Sequence, residues 1–277
     1  MRRSNVKFNT AFISEPGSFI RNKDYFAFAE MDNFACYFMA DGIDDDLEQE
    51  SAKIAVDSMI RQFSENPSME KREIQGWLET ANKELVARSK SMRLKASITV
   101  FVTDYAFMMF GMTGNTRLYL FREGNLIHRS IDQSLSSNLV EGGKLSTAKI
   151  ASHLERHNLY CYLGQQEGFN AEVSGRIKLV DGDKITMLTR GIWENIDIGE
   201  MTDAVKDAQD PQKVLNNVVS LLLSRKPFNL DNYTLATIFI DKAYQVSSLH
   251  KALARKIVIA MLPVLIMMVA LLVFFAG

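Results

Sequence analysis

From Ile257 to Ala276 the chain runs twenty residues without a charge, almost all Val, Ile, Leu, Met, Phe and Ala. As a helix, at about 1.5 Å per residue, the run is roughly 30 Å long and matches the hydrocarbon core of a bilayer. Buried helices of soluble globules rarely keep more than about ten to fourteen unbroken apolar residues, so residues 257–276 are expected to form one membrane-spanning helix. Pro263 lies in its first third, where a spanning helix tolerates a kink. His250, Lys251, Arg255 and Lys256 precede the run and only Gly277 follows it. Positive charge on that side predicts a single-pass protein of the cell membrane with its N-terminal domain in the cytoplasm. Met1-Arg2-Arg3 is basic, but no apolar stretch follows it, so a secretory signal is not expected.

The rest of the chain has to fold in water. Its charges are of both signs and interspersed, with a formal net charge of −1 overall, which argues against a nucleic-acid partner. Cys36 and Cys161 sit far apart inside apolar runs and read as reduced core residues. His153 and His157 show the only close histidine spacing, which one turn of helix produces without any metal.

Apolar periodicity outlines an α+β domain. Residues 25–29 and 34–40 read as two strands around a turn at Asp32-Asn33, the second buried on both faces. Ala52, Ala55, Val56, Met59, Ile60 and Phe63 make one helical stripe, ending near Asn66-Pro67. Ile74, Trp77, Leu78, Ala81, Leu85 and Val86 make a second, and both stripes suit packing on a sheet. Four short strands are then expected at 97–103, 106–112, 116–122 and 125–130, with a hairpin turn at Gly124-Asn125. Consecutive strands with tight turns imply antiparallel pairing. A less regular stretch over 131–170, a strand at 184–189, a helix at 211–225 and a strand at 234–240 complete the pattern, with residues 242–256 as a basic juxtamembrane linker.

Three carboxylate-bearing stretches stand at strand ends: Asp24, Asp41-Gly42 and Asp231-Asn232. Remote carboxylates converging there are what a divalent cation needs, since hard cations take oxygen ligands. Taken singly, each is also an ordinary turn residue.

Their order resembles the metal-dependent serine/threonine phosphatases of the PPM type, protein phosphatase 2C. The matching stretches are Arg21-Asn22-Lys23-Asp24, Met39-Ala40-Asp41-Gly42, Gly114-Asn115-Thr116-Arg117-Leu118-Tyr119, Asp132-Gln133-Ser134, Leu163-Gly164, Asp181-Gly182-Asp183, Arg190-Gly191-Ile192-Trp193 and Asp231-Asn232-Tyr233-Thr234. The resemblance implies a phosphatase-2C-like domain over 1–241, built as two stacked antiparallel β-sheets flanked by helices. It also implies an aspartate cluster holding two Mg²⁺ or Mn²⁺ ions that activate a water against phosphorus.

The sequence departs from the family pattern at the metal positions. The family's Glu-Asp pair stands here as Lys23-Asp24, and its Asp-Gly-x-Gly-Gly loop as Asp41-Gly42-Ile43-Asp44-Asp45. The aspartate of its Gly-Asp-Ser-Arg motif is Asn115, and that of Asp-Gly-(Leu/Ile)-Trp is Arg190. Asp41, Gly42, Asp231 and Asn232 are retained, with Asp41 and Asp231 the metal ligands if a site survives. A guanidinium cannot ligate a cation. At about 4–5 Å from a divalent ion it opposes binding by roughly 7 kcal/mol at an effective dielectric near 20. The expectation is a pseudophosphatase with no cofactor, in which Arg190, helped by Lys23, bridges Asp41 and Asp231 and the domain works by binding a protein or phosphoprotein. The alternative is an active phosphatase using Mn²⁺ or Mg²⁺, its site rebuilt from Asp44, Asp45 and Asp46, with Arg190 turned outward toward a substrate phosphate. That acidic run is equally a solvated loop capping a helix that begins near Leu47.

Overall fold

The computed structural model describes residues 6–44 and 49–244. Asp45, Asp46 and Leu47 therefore lie outside the described residues, as does the expected spanning helix at 257–276. Among the described residues no helix is long and apolar enough to cross a membrane.

Two antiparallel sheets form the body. The first is built from β1 (Lys7–Glu15), β6 (Arg117–Arg122), β7 (Asn125–Arg129), β10 (Lys184–Leu188) and β11 (Tyr233–Lys242), in the order β1-β11-β10-β6-β7. The second contains β2 (Asp24–Glu30), β3 (Ala35–Gly42), β4 (Ala96–Thr103), β5 (Phe107–Thr113) and the two-residue β8 (Glu172–Val173), in that order; β9 (Ile177–Lys178) also pairs with β5. Strands β3 and β4 are buried at every position, because one face meets helices and the other meets the opposing sheet.

Alternation along the strands sorts these faces. Cys36, Phe38 and Ala40 of β3 pack with α1 (Ser51–Glu65) and α2 (Lys71–Arg88) around Met59, Phe63, Trp77 and Leu78. Tyr37 and Met39 point the other way, and Tyr37 stacks between Phe28 and Phe101 at 5.3 and 5.2 Å. On the first sheet, Tyr233, Leu235 and Phe239 face α5 (Ile198–Lys206) and α6 (Pro211–Ser224). By the same period of two, Asp24, Asp41 and Thr234 point into the space between the sheets.

Several elements left no readable periodicity: β1, the short strands β8 and β9, α3 (Leu135–Glu141), the one-turn α4 (Arg190–Trp193) and α5. The hairpin turn sits one residue earlier than expected, on Glu123-Gly124, where both residues have positive φ (50° and 75°). Helix α1 begins at Ser51, four residues beyond the expected start, and its cap residue Glu50 makes no side-chain capping bond.

Candidate functional site

The starts of β2 and β11 and the ends of β3 and β10 meet at one mouth of the gap between the sheets. Antiparallel register sets Asp24 directly opposite Asp41. Asp24 is buried, and its Oδ2 accepts hydrogen bonds from Thr189 Oγ1 at 2.6 Å and Thr234 Oγ1 at 2.8 Å, both from the other sheet. Its Oδ1 has no partner. Burial, with the Asp41 carboxylate next in importance, raises the Asp24 carboxyl well above its ordinary range.

Arg190 opens α4 just after β10 and is thrown toward both remaining carboxylates. Its Nη2 bonds Asp231 Oδ2, and its Nε lies 3.9 Å from Asp41 Oδ2. Its Nη1 is 3.3 Å from His157 Nδ1, and the other imidazole nitrogen is 3.4 Å from Glu194. Burial, then Arg190 and Arg156, lowers His157 to about 4, so the ring is neutral and accepts from the guanidinium. Burial raises Asp41 to about 6 despite Arg190, with Asp231 and Glu194 pushing the same way. Gly191 lets α4 approach: a Cβ there would stand 2.3 Å from the Asn232 carbonyl oxygen.

The other residues expected at the site have separate roles. Lys23 does not stand between Asp41 and Asp231; just before β2, its ammonium bonds the Asp44 carbonyl and lowers the Asp41 carboxyl only through space. Asp44 Oδ2 accepts from the Lys95 backbone N–H at 2.8 Å. Asn232 Oδ1 accepts from Lys23 N, while its amide donates to the Pro16 and Arg21 carbonyls, so it ties loops together. Gly42 donates its N–H to Lys23 O. Asn115 is buried and accepts from Ser97 Oγ at 2.9 Å. Thr189, His157 and Glu194 also belong to the site although no family motif carries them, and Thr234 ends the stretch Asp231-Asn232-Tyr233-Thr234 without being marked there as a site residue.

Asp24 binds its proton more tightly folded than unfolded, so its contribution to stability falls as pH rises above about 4, and Asp41 adds to the fall between about 4 and about 6. Asp24→Asn should remove the Asp24 share. The variant is expected to gain about 1 kcal/mol over wild type at pH 8, the low end of what an unpaired buried oxygen costs. Urea unfolding at pH 5 and pH 8 reads this; a loss at pH 8 would show that Asp24 is held as an anion.

By sequence, no protein-family model and no curated protein matches the chain. By structure, a serine/threonine phosphatase from S. agalactiae superposes with a TM-score of 0.74 at 20% identity, covering 84% of this chain and 100% of that one. The serine/threonine phosphatase Stp1 from Staphylococcus aureus does so at 0.74 and 16% identity, covering 87% and 98%. The fold is that of the PPM-type serine/threonine phosphatases. Another protein of this PPM-type fold, the catalytic domain of phosphatase PstP, has been solved in complex with two manganese ions; it matches with a TM-score of 0.70 at 15% identity, covering 86% of this chain and 99% of that one.

The described side chains do not fit a dinuclear cation centre. The space between Asp41 and Asp231 holds the Arg190 guanidinium, a group that donates and cannot ligate. Asp24 Oδ2 already takes two hydroxyl donors, and burial works against the charged form of its carboxyl. Among the described residues no three His, Cys, Asp or Glu side chains are grouped to hold a metal ion.

Proposed function

We infer that this chain is a membrane-anchored PPM-type pseudophosphatase, a binding or regulatory module of a signalling assembly rather than a hydrolase. The observation that carries the reading is Arg190, ion-paired to Asp231 and 3.9 Å from Asp41, where it supplies the positive charge those two carboxylates require. Two acids facing one another cannot both ionise without such a charge. With the guanidinium in place they can, and no cofactor is needed to keep the fold. Residues 257–276 would tether the domain, tail-anchored, to the cytoplasmic face of the cell membrane, where a protein or phosphoprotein partner meets it.

The test uses the full chain in detergent. Calorimetry with Mn²⁺ and Mg²⁺ should show no binding, and a phosphoserine peptide should not be hydrolysed in either metal. Binding with turnover would sink the reading and make the protein a membrane-tethered phosphatase whose acidic run, Asp44 to Asp46, has rebuilt a site. Membranes washed in alkaline carbonate should retain the chain; release into the wash would rule out the spanning helix.

A further inference from the structure

Two loops at one end of the first sheet hold large apolar side chains out in solvent. Residues 16–23 join β1 to β2, and residues 225–232 join α6 to β11. On them Ile20 is 100% exposed, Phe228 93% and Phe19 54%. Both loops are braced. The Ser18 N–H donates to the Leu230 carbonyl at 2.8 Å, and the Asn232 amide donates to the carbonyls of Pro16 and Arg21. Gly17, at φ 61°, lies so close that a Cβ would stand 2.3 Å from the Asp231 carbonyl oxygen. Phe228 is bracketed by Lys226 and Asn229, both at positive φ (47° and 56°), a backbone form that lysine rarely takes. Strain is thus kept at the turn that leaves Phe228 in solvent.

The charge around these side chains has one sign. Residues 16–23 and 225–230 include Arg21, Lys23, Arg225 and Lys226 and no Asp or Glu. Lys23 and Arg225 are engaged by the Asp44 carbonyl and by Glu200, whereas Lys226 makes no ion pair among the described residues. The acids flanking the loops are Glu15, on β1, and Asp231, which Arg190 neutralises. Exposed rings and a branched chain ringed by cations suit the interface of an anionic bilayer. There the apolar groups enter the acyl boundary by about 5–10 Å and the cations meet the headgroups. Chain length permits this contact. Residues 245–256, between the described domain and the apolar run, reach about 40 Å when extended, more than the roughly 33 Å length of the ten-residue β11.

We propose that the loops at 16–21 and 225–229 dock on the cytoplasmic leaflet, with Phe19, Ile20 and Phe228 in the acyl boundary and Arg21 and Lys226 on anionic headgroups. This contact rests on the reading of a membrane-anchored chain and adds a second attachment to the same bilayer. Because Asn232 bonds both these loops and the Lys23 backbone, docking would hold the mouth at Asp231 close to the lipid surface.

The experiment takes the full chain reconstituted in vesicles of phosphatidylcholine, alone or mixed with phosphatidylglycerol. Cys36 and Cys161 are buried, so an introduced surface cysteine is the one that takes an environment-sensitive fluorescent label. Ile20→Cys and Phe228→Cys are labelled in turn, with Asn125→Cys, exposed in the hairpin at the opposite end of the first sheet, as the control. Nitroxide carried on the lipid chains should quench the labels at 20 and 228 at least about twofold more strongly than the label at 125. Added to Ile20→Cys, Lys226→Glu should cut the quenching in mixed vesicles by at least about half and change little in phosphatidylcholine alone. Thermal unfolding in detergent checks that each variant is folded.

Quenching at 20 and 228 no greater than at 125 overturns the proposal and leaves the patch to a protein partner. A blue shift that grows with the protein-to-lipid ratio, without quenching by lipid, overturns it in favour of a second copy of the chain. Failure of the anchor reading looks different. Release of the chain by alkaline carbonate, with quenching intact at neutral pH, would remove the spanning helix and leave the loop contact standing. Retention in carbonate without quenching would remove the loop contact alone.

Discussion

Arg190→Asp is expected to give the domain a divalent-cation site at Asp41 and Asp231, where the wild type holds a guanidinium. The wild-type guanidinium opposes a divalent ion at about 4–5 Å by roughly 7 kcal/mol at an effective dielectric near 20, on the order of five decades in affinity. The substitution removes that opposition and adds a third carboxylate from the first residue of α4, pointed at Asp41 and Asp231. Without metal the variant should suffer. Asp41, with a side chain only 5% exposed, loses its counter-charge, and three acids then crowd one mouth. Leaving a buried charge unpaired costs about 3 kcal/mol or more, which in a domain of this size lowers Tm by on the order of 10 °C.

Mn²⁺ should reverse this. At a hundred times its dissociation constant a ligand returns about 2.7 kcal/mol, so the Tm of the variant should climb with Mn²⁺ while that of the wild type stays still. Acid should also help the metal-free variant. Acids whose folded pKa is raised stabilise the fold as pH falls toward about 4, and Asp41 is already raised to about 6 in the wild type. A scanning experiment at pH 8 with and without Mn²⁺ decides the matter. A variant indifferent to Mn²⁺ would mean that these carboxylates are not placed to share an ion.

Asp132→Ala should be the most damaging single change away from the site. Arg117 and Asp132 meet through two parallel bonds, Nε to Oδ1 at 2.8 Å and Nη2 to Oδ2 at 2.7 Å, with side chains only 9% and 2% exposed. The same guanidinium lies 3.8 Å from the centre of the Trp193 ring. Arginine cannot shed its proton to escape. Removing Asp132 therefore strands a buried cation, at a cost of about 3–5 kcal/mol and a fall in Tm of roughly 10 °C or more. Trp193 ends α4, the turn that Arg190 begins, so the same change should loosen the site. Arg117→Met combined with Asp132→Leu should recover most of the stability, because an apolar pair replaces a buried ion pair with little net loss. A single-variant cost under about 1 kcal/mol in urea would show that the cation finds water or another partner.

Most of the strands and long helices were legible, and for a local reason. Within residues 97–130, strands β4, β5 and β6 run apolar because both their faces are covered, and 52–63 and 74–86 repeat at helical steps because each helix buries one face. The hairpin turn falls one residue before the expected Gly124-Asn125, since Gly124 pairs its positive φ with Glu123, a residue type with no turn signature. Strand β1 shows no strand pattern in the sequence. Its burial alternates irregularly along Lys7–Glu15 at a sheet edge, and its place is set by pairing with β11 more than two hundred residues away. Helix α4 is a single turn, too short for any period to show, although it carries the residue on which the site depends.

At the site the division is similar. Asp24, Asp41 and Asp231 stood out as carboxylates at strand ends, and Arg190 through the resemblance to the PPM-type pattern, which has an aspartate at that position. Lys23 acts on Asp41 through space, while its ammonium bonds the Asp44 carbonyl, because no local pattern says which way a rim side chain turns. Thr189, Thr234 and His157 looked ordinary. Only the crossing of two sheets sets both hydroxyls on one Asp24 oxygen and brings a neutral imidazole to the guanidinium.

The order of residues thus determined the α+β pattern, the uncharged run at 257–276 and which charges stand at which strand ends, since periodicity, turn chemistry and charge are properties of neighbouring residues. Tertiary structure alone decided which of those charges meet. Asp24 opposes Asp41 through strand register, and Arg190 reaches Asp231 because Gly191 admits a close backbone approach. Electrostatic energy falls off with distance in space and takes no account of separation along the chain. The identities of these groups can therefore be read from a list of residues, and their pairings require the fold.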